Sequence, residues 1–224
     1  ADQGADIAIT YAASADKAEY VAEVVRAKGV RALAIRCDQA DTSAAKPMVE
    51  QVVAELGKLD ILINNAAIAV QGKLVDDPTL DSAAFDRQWM VNVLGTVAIT
   101  RAAAQKISDG GRIVFIGSGL GTRAIVPGIA DYAGTKAAIA GYARGVQRDL
   151  GPRNITVNVV QPGIMPTDMT GEVAENFPQA VIDMHPIRRI ATIEEVAGAV
   201  SYLVSPAASY TAGAVIDVSG GVLV

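Results

Sequence analysis

Short runs rich in β-branched residues alternate along this chain with longer stretches whose apolar residues recur every three or four positions. The runs Ile7–Tyr11, Ala32–Arg36, Ile61–Asn64, Arg112–Ile116, Thr156–Val160 and Ala214–Val218 predict strands. Between them, Ala18, Val21, Ala22 and Val25 form one helical stripe, Val49, Val52, Val53 and Leu56 a second, and Val196, Ala199, Val200 and Leu203 a third. Asp41-Thr42-Ser43 reads as a helix start, and Gly29, Gly57 and Gly151 read as helix ends. Pro47 falls in the early turns of its helix, where proline is tolerated. Repeated strand–helix–strand units predict right-handed crossovers and an α/β fold built on a doubly wound, mostly parallel sheet flanked by helices. No linker or repeat divides residues 1–224, so one domain is expected. Residues 163–190 lose the periodicity and carry Pro166, Pro178 and Pro186, the pattern of a substrate loop or lid.

Composition narrows the function classes. The chain is 51% hydrophobic but only 4% aromatic, which suits a parallel sheet buried under helices on both faces. A net charge of −5 excludes a nucleic-acid partner that would need a basic stripe. A single cysteine, Cys37, allows no internal disulfide, and a single histidine, His185, argues against a histidine-based metal centre. No run approaches the roughly 18 apolar residues of a membrane span, and no basic and apolar leader opens the sequence. The expectation is a cytoplasmic protein with no metal site and no membrane partner.

In doubly wound sheets, ligands bind at the carboxyl ends of the strands. Asp38, Asn64, Asn65, Ser118 and the pair Pro162-Gly163 all follow predicted strands and would line one rim. Tyr132 and Lys136 are four residues apart, so on a helix they share a face. A phenol titrates near about 10, and an ammonium beside it favours the phenolate. Ser118 could hydrogen-bond a carbonyl and the alkoxide formed from it. These are parts for proton transfer coupled to hydride transfer. The same tyrosine–lysine spacing, taken alone, is also that of a solvated helix face.

Five motifs occur in order: "DILINNAA" (Asp60 to Ala67), "MVNVLGT" (Met90 to Thr96), "GRIVFIGS" (Gly111 to Ser118), "DYAGTKAAIAGYARGV" (Asp131 to Val146) and "NITVNVVQPGIMPTDM" (Asn154 to Met169). The series resembles the classical short-chain dehydrogenase/reductase family, in particular its 3-oxoacyl-[acyl-carrier-protein] reductases, over essentially the whole chain. The resemblance implies a Rossmann-like sheet and four catalytic residues. Tyr132 would be the general acid/base, and Lys136 would lower its pKa and bind the nicotinamide ribose. Ser118 would polarise the carbonyl, and Asn92 would hold a water in a proton relay. Asn65 and Ala66 would lie along the cofactor, Asp38 and Gln39 would meet the adenine, and Pro162, Gly163, Ile164 and Thr167 would frame the nicotinamide and phosphates. Structural readings stand beside two of these: Asn92 as the cap of a helix bend, and Pro162-Gly163 as a turn.

Cofactor preference is readable locally. Ile7–Tyr11 takes the place of the family's second strand, and Ala12-Ala13-Ser14 follows it with no carboxylate to meet a ribose 2′-hydroxyl. Ser14 could donate to a 2′-phosphate, so NADP(H) is expected over NAD(H). The implied reaction is reduction of a ketone to a secondary alcohol, the substrate being a small ketone or a 3-oxoacyl thioester, as in fatty acid biosynthesis. The apolar tail Val215–Val224 suggests a subunit interface, and the family implies a homo-oligomer, commonly a tetramer.

Three departures qualify the resemblance. The family opens with a strand, a glycine-rich turn and a helix, whereas "ADQGADIAIT" reads as the end of that helix running into the second strand. The first βα unit is thus expected to be missing from this chain. That favours a competing reading, a cofactor-deficient form acting as a non-catalytic binding or assembly subunit. The family's Asn-Asn-Ala-Gly reads Asn64-Asn65-Ala66-Ala67, and the Ser118–Tyr132 spacing is one residue longer than in many relatives.

Overall fold

The strand and helix propensities are realised in the order β1 (Ile7–Tyr11), α1 (Ala15–Arg26), β2 (Ala32–Arg36), α2 (Ala45–Leu56), β3 (Leu59–Asn64), α3 (Ser82–Trp89), α4 (Thr96–Ala104), β4 (Ile107–Ile116), α5 (Ala130–Leu150), β5 (Thr156–Pro162), α6 (Gln179–Asp183), α7 (Ile193–Val204) and β6 (Val215–Val218). The computed structural model describes residues 1–169 and 179–223, so part of the expected lid lies outside the described residues. All six predicted strands are present; β3 and β4 start two and five residues earlier than their apolar runs suggest. No helix among the described residues is long and apolar enough to cross a membrane.

Two compact units divide the chain. The first comprises Ala1–Asp60 and Leu94–Ser108. In it β1 and β2 pair in parallel over Ile7↔Ala32 to Tyr11↔Arg36. Helix α1 buries Ala18 and Ala22. Val21 of the expected stripe is instead 44% exposed, because Ala18, Ala22 and the half-buried Val25 occupy the line that faces inward. Helix α2 buries Val49, Val52 and Leu56 and ends at Gly57, whose φ of 87° gives the left-handed cap. Arg31 bonds the carbonyls of Glu55 and Leu56 at that helix end and pairs with Asp6, placing positive charge where the helix dipole is negative. Asp41 accepts from the Ser43 amide and starts the turn that leads into α2, as its sequence predicts.

The second unit comprises Ile61–Val93 and Asp109–Val224. Its sheet has the order β3-β4-β5-β6, with parallel registers Arg112↔Thr156 and Val159↔Val215. Every residue of β5 is buried, the signature of an inner strand covered on both faces. Val114 and Val160 pack against Val196 and Leu203 of α7, whose start carries a Thr192–Glu195 capping box. Helix α5 ends at Leu150 with Gly151 as its cap, as the sequence predicts, and Gly151 stays right-handed. Pro152 carries the chain on into a 3₁₀ turn, and Asn154 takes the left-handed position at φ 55°. Among the described residues the strands therefore form a two-stranded and a four-stranded sheet, both flanked by helices, with one strand neighbour each for β1 and β3.

Asn158 is 1% exposed in β5, donates to the Thr211 carbonyl (2.7 Å) and accepts from the Ala214 amide (2.9 Å), fixing the approach to β6. Asn158→Leu strands both backbone groups, each worth about 1–3 kcal/mol when buried and unpaired. Urea unfolding should show a loss of about 2–5 kcal/mol. A loss below about 1 kcal/mol would mean that the loop re-bonds without it.

Candidate active site

The second unit gathers Asn92, Ser118, Tyr132 and Lys136. Helix α5 supplies Tyr132 and Lys136 from one buried face that also carries Thr135, Ile139, Ala143 and Val146. Both polar residues are nearly out of solvent, Tyr132 at 7% and Lys136 at 5% exposure. The solvated-face reading of the pair is thereby excluded. Lys136 Nζ lies 5.8 Å from the centre of the Tyr132 ring and donates to the Ile116 carbonyl at 3.0 Å. An ammonium has three N–H bonds, so two remain for a ligand or water.

Ser118 follows β4 and caps a short 3₁₀ turn, its Oγ accepting from the Leu120 amide at 3.2 Å. Its hydroxyl also hydrogen-bonds the Tyr132 phenol. The loop lies tightly on α5. A Cβ at Gly121 would come within 2.8–2.9 Å of Lys136 and Ala137 backbone and Cβ atoms, so only glycine permits this approach.

Asn92 sits in a π-helical stretch, Met90–Gly95, between α3 and α4. It is 3% exposed and clamps Ile68 from both sides, accepting from its amide and donating to its carbonyl, each at 2.9 Å. Its Nδ2 also donates to Thr135 Oγ1 (3.2 Å), which in turn donates to the Tyr132 carbonyl (2.8 Å). Gln88, fully buried, holds the same loop two residues on by accepting from the Val70 amide at 2.5 Å. Neither Gln88 nor Thr135 stands out in the sequence, since each looks like one more polar position on a helix. Gln161 and Thr122, which bond each other, likewise escape a motif search.

The electrostatics run against one expectation. Burial raises the Tyr132 phenol above its usual value, and the Ser118 hydrogen bond offsets this in part. Lys136 was expected to pull the phenol down, but desolvation is the larger effect on both groups. Burial lowers Lys136 itself from 10.5 to about 8.

The other candidate residues fall in both units. In the first, Ser14 is exposed at the start of α1 and its side chain makes no capping bond. There too, Asp38 Oδ1 accepts from the Ala40 amide, and Gln39 donates to Thr96 Oγ1. In the second, Asn65 and Ala66 are exposed after β3, Pro162 is buried at the end of β5, and Gly163, Ile164 and Thr167 are half-buried. Gly163 lies against Ser219, with no room for a Cβ. No cluster of three or more metal-ligating side chains exists among the described residues.

Comparison with known proteins places this parallel α/β fold, with its buried Tyr132, Lys136, Ser118 and Asn92, in a class of oxidoreductases. The sequence model of a family described as "Enoyl-(Acyl carrier protein) reductase" matches residues 1–223. The 3-oxoacyl-[acyl-carrier-protein] reductase FabG of Staphylococcus aureus (strain Mu50) is 34% identical over 99% of this chain and 89% of its own. A blue fluorescent protein from a metagenomic library, solved in complex with NADPH, is 37% identical over 99% of this chain and 89% of its own, at a TM-score of 0.93. A short-chain dehydrogenase from Burkholderia cenocepacia J2315, solved in complex with NADP, is 41% identical with the same coverages, at a TM-score of 0.91. The chain belongs to the classical short-chain dehydrogenase/reductase family, and within it is similar to the 3-oxoacyl-[acyl-carrier-protein] reductases.

Lys136 yields a pH test. Its folded-state pKa lies below the unfolded one, so its share of stability is complete only above 10.5 and is lost as the pH falls to about 8, by about 3 kcal/mol in all. From pH 7.5 to 9.5 the native chain should gain about 2 kcal/mol relative to a Lys136→Met variant. Parallel stability curves for the two would mean that Lys136 is better solvated than its burial implies.

Proposed function

We propose that this chain is an NADPH-dependent carbonyl reductase that converts a ketone to a secondary alcohol. The observation that carries the reading is the buried Tyr132 phenol, hydrogen-bonded by Ser118 with the Lys136 ammonium beside its ring. Bound NADPH supplies the hydride. Ser118 donates a hydrogen bond to the substrate oxygen, and Tyr132 gives its phenolic proton to that oxygen as charge develops there. Burial holds the phenol protonated at neutral pH, the form an acid catalyst of reduction needs. Once the proton has left, the Lys136 ammonium and the Ser118 hydroxyl stabilise the phenolate. Asn92 holds the Ile68 backbone in place, and one lone pair of its Oδ1 remains for the relay water.

The residues present suit the cofactor. The two unused N–H bonds of Lys136 fit ribose hydroxyls. Ser14 offers an uncommitted hydroxyl at a helix N-terminus, where a phosphate is favoured. Asp38 and Gln39 would meet the adenine, Asn65 and Ala66 would lie along the cofactor, and Pro162, Gly163, Ile164 and Thr167 would frame its nicotinamide and phosphates. The NADPH and NADP complexes of the two solved relatives support this choice over NAD(H). A 3-oxoacyl thioester is the substrate class supported by the staphylococcal reductase, which points to fatty acid biosynthesis in the cytoplasm. A homo-oligomer, with a tetramer as its expected size, is supported by the exposed small residues Ala137, Gly141 and Gly145 on α5, since Gly141 and Gly145 have open space where a Cβ would be. The alternative reading is a cofactor-deficient, non-catalytic binding or assembly subunit.

Tyr132→Phe should lower kcat for NADPH-dependent ketone reduction by about a hundred- to ten-thousand-fold while leaving NADPH affinity within about threefold. An equally active Phe variant would remove Tyr132 from the chemistry, and a native chain inactive on every ketone tested would favour the assembly reading. Ser14→Asp sets a carboxylate against the 2′-phosphate. It should cut NADPH affinity at least about tenfold and spare NADH. Unchanged selectivity would place the 2′-phosphate elsewhere.

A further inference from the structure

The loop that carries Ser118 is held by more than its own turn. Residues Gly119–Gly121 form a 3₁₀ turn closed by the Gly121 amide on the Ser118 carbonyl and the Thr122 amide on the Gly119 carbonyl, each at 3.0 Å. These short-range bonds make the turn one tight unit, so its orientation depends on what holds its two ends. The start is tied by backbone: the Gly117 amide donates to the Val160 carbonyl of β5 at 2.8 Å. The end is tied by a side chain: Thr122 Oγ1 donates to Gln161 Oε1 at 3.2 Å and accepts from Gln161 Nε2 at 2.9 Å. Gln161 reaches the start as well, since a Cβ at Gly117 would lie 3.3 Å from its Cγ. Gln161 is 4% exposed in a strand whose every residue is buried, while Thr122 is exposed. A buried amide is unfavourable unless it is hydrogen-bonded. An apolar side chain would pack in β5 without that requirement, so what the amide adds is the tie to the loop.

We infer that Gln161 is a positioning residue for the proposed reaction: by holding Thr122 it fixes the Ser118 turn so that the Ser118 hydroxyl meets the Tyr132 phenol and the substrate oxygen. The inference rests on the carbonyl reductase reading for the substrate oxygen, while the Ser118–Tyr132 contact stands without it. Without the tie, the turn keeps its bonded start at Gly117, where glycine has the backbone freedom of a hinge. Its packing on α5 at Gly121 keeps the swing small. A displacement of about 1 Å is still enough to cost about a hundredfold in rate. Gln161 acts through Ser118, because its amide bonds to Thr122 and not to Ser118 or Tyr132.

The test uses the whole chain and a pair of readouts. Gln161→Met keeps the length of the side chain and removes its hydrogen bonds. Thr122→Val breaks the same pair from the exposed side, should the buried variant fail to fold. The first readout, at neutral pH without substrate or cofactor, is the carbon NMR signal of Tyr132 Cζ, assigned by its loss in Tyr132→Phe. Both variants should move this signal in the direction that Ser118→Ala moves it, and Gln161→Met should move it no further in a Ser118→Ala background. The second readout is NADPH-dependent ketone reduction. Gln161→Met should lower kcat by about tenfold to a hundredfold and leave NADPH affinity within about threefold. Thr122→Ser, which keeps the hydroxyl, should stay within about threefold of the native rate, and in the Ser118→Ala background Gln161→Met should cost less than about threefold more. A Tyr132 signal unmoved in both variants overturns the proposal. So does an equal loss of kcat with and without Ser118, the mark of a merely structural role. A native chain that reduces no ketone refutes the reductase reading and not the contact, which the first readout then decides.

Discussion

An ammonium group buried at the carboxyl end of β4 sets the terms for the rest of the site. Lys136 loses most of its hydration and recovers one hydrogen bond, to the Ile116 carbonyl. That carbonyl is available because β4 ends there and the chain turns away at Gly117 into the Ser118 loop. The loop can then return onto α5 only because Gly121 has no side chain to strike the Lys136 backbone. Each of these features costs stability when taken singly. Together they hold a phenol, a hydroxyl and an ammonium in a dry place, where electrostatic interactions are stronger than in water. The fold carries a destabilised lysine because the proposed reaction needs one.

A second set of buried polar contacts keeps the site from relaxing. The π-helical stretch around Asn92 is an uncommon and strained form of helix, typical of functional sites. Its irregularity accompanies an amide that reaches Ile68 twice and Thr135 once. Thr135 passes the constraint to the Tyr132 backbone, and Gln88 repeats the clamp at Val70. The loop after β3 is thus tied to the helix that carries Tyr132. Asn92 has most of its hydrogen-bonding capacity in use, so its positioning role is secured by geometry before any water is considered.

Much of this was legible in the sequence, and the reasons for the rest are physical. Strands announced themselves because inner parallel strands are continuous apolar runs, as in Thr156–Val160. The tyrosine, lysine and serine were legible as buried neighbours-to-be from spacing and strand context, and family resemblance supplied the roles proposed for them. What escaped was the buried polar scaffold. Gln88, Thr135, Asn158 and Gln161 look like surface positions in a hydrophobicity pattern, and only three-dimensional contacts reveal that they are buried and bonded inside: Thr135, Asn158 and Gln161 to neighbouring polar groups, and Gln88 through its carbonyl oxygen to the Val70 amide. The sign of the Tyr132 effect escaped for a related reason. A lysine four residues away implies a lowered phenol, but burial acts on both groups at once and opposes the charge of each. At the end of α5, Gly151 is the stop that the sequence suggests, while the left-handed position falls later, at Asn154, after a 3₁₀ turn that Pro152 fits.

The division of the molecule also separates the candidate residues. Asn92, Ser118, Tyr132 and Lys136 belong to the second unit, whose sheet has a fully buried inner strand, while Ser14, Asp38 and Gln39 belong to the first. The hydrogen bonds that hold Asn92, Ser118 and Lys136 lie within the second unit. The geometry of the proposed proton transfer is therefore set apart from the residues proposed to meet the nucleotide.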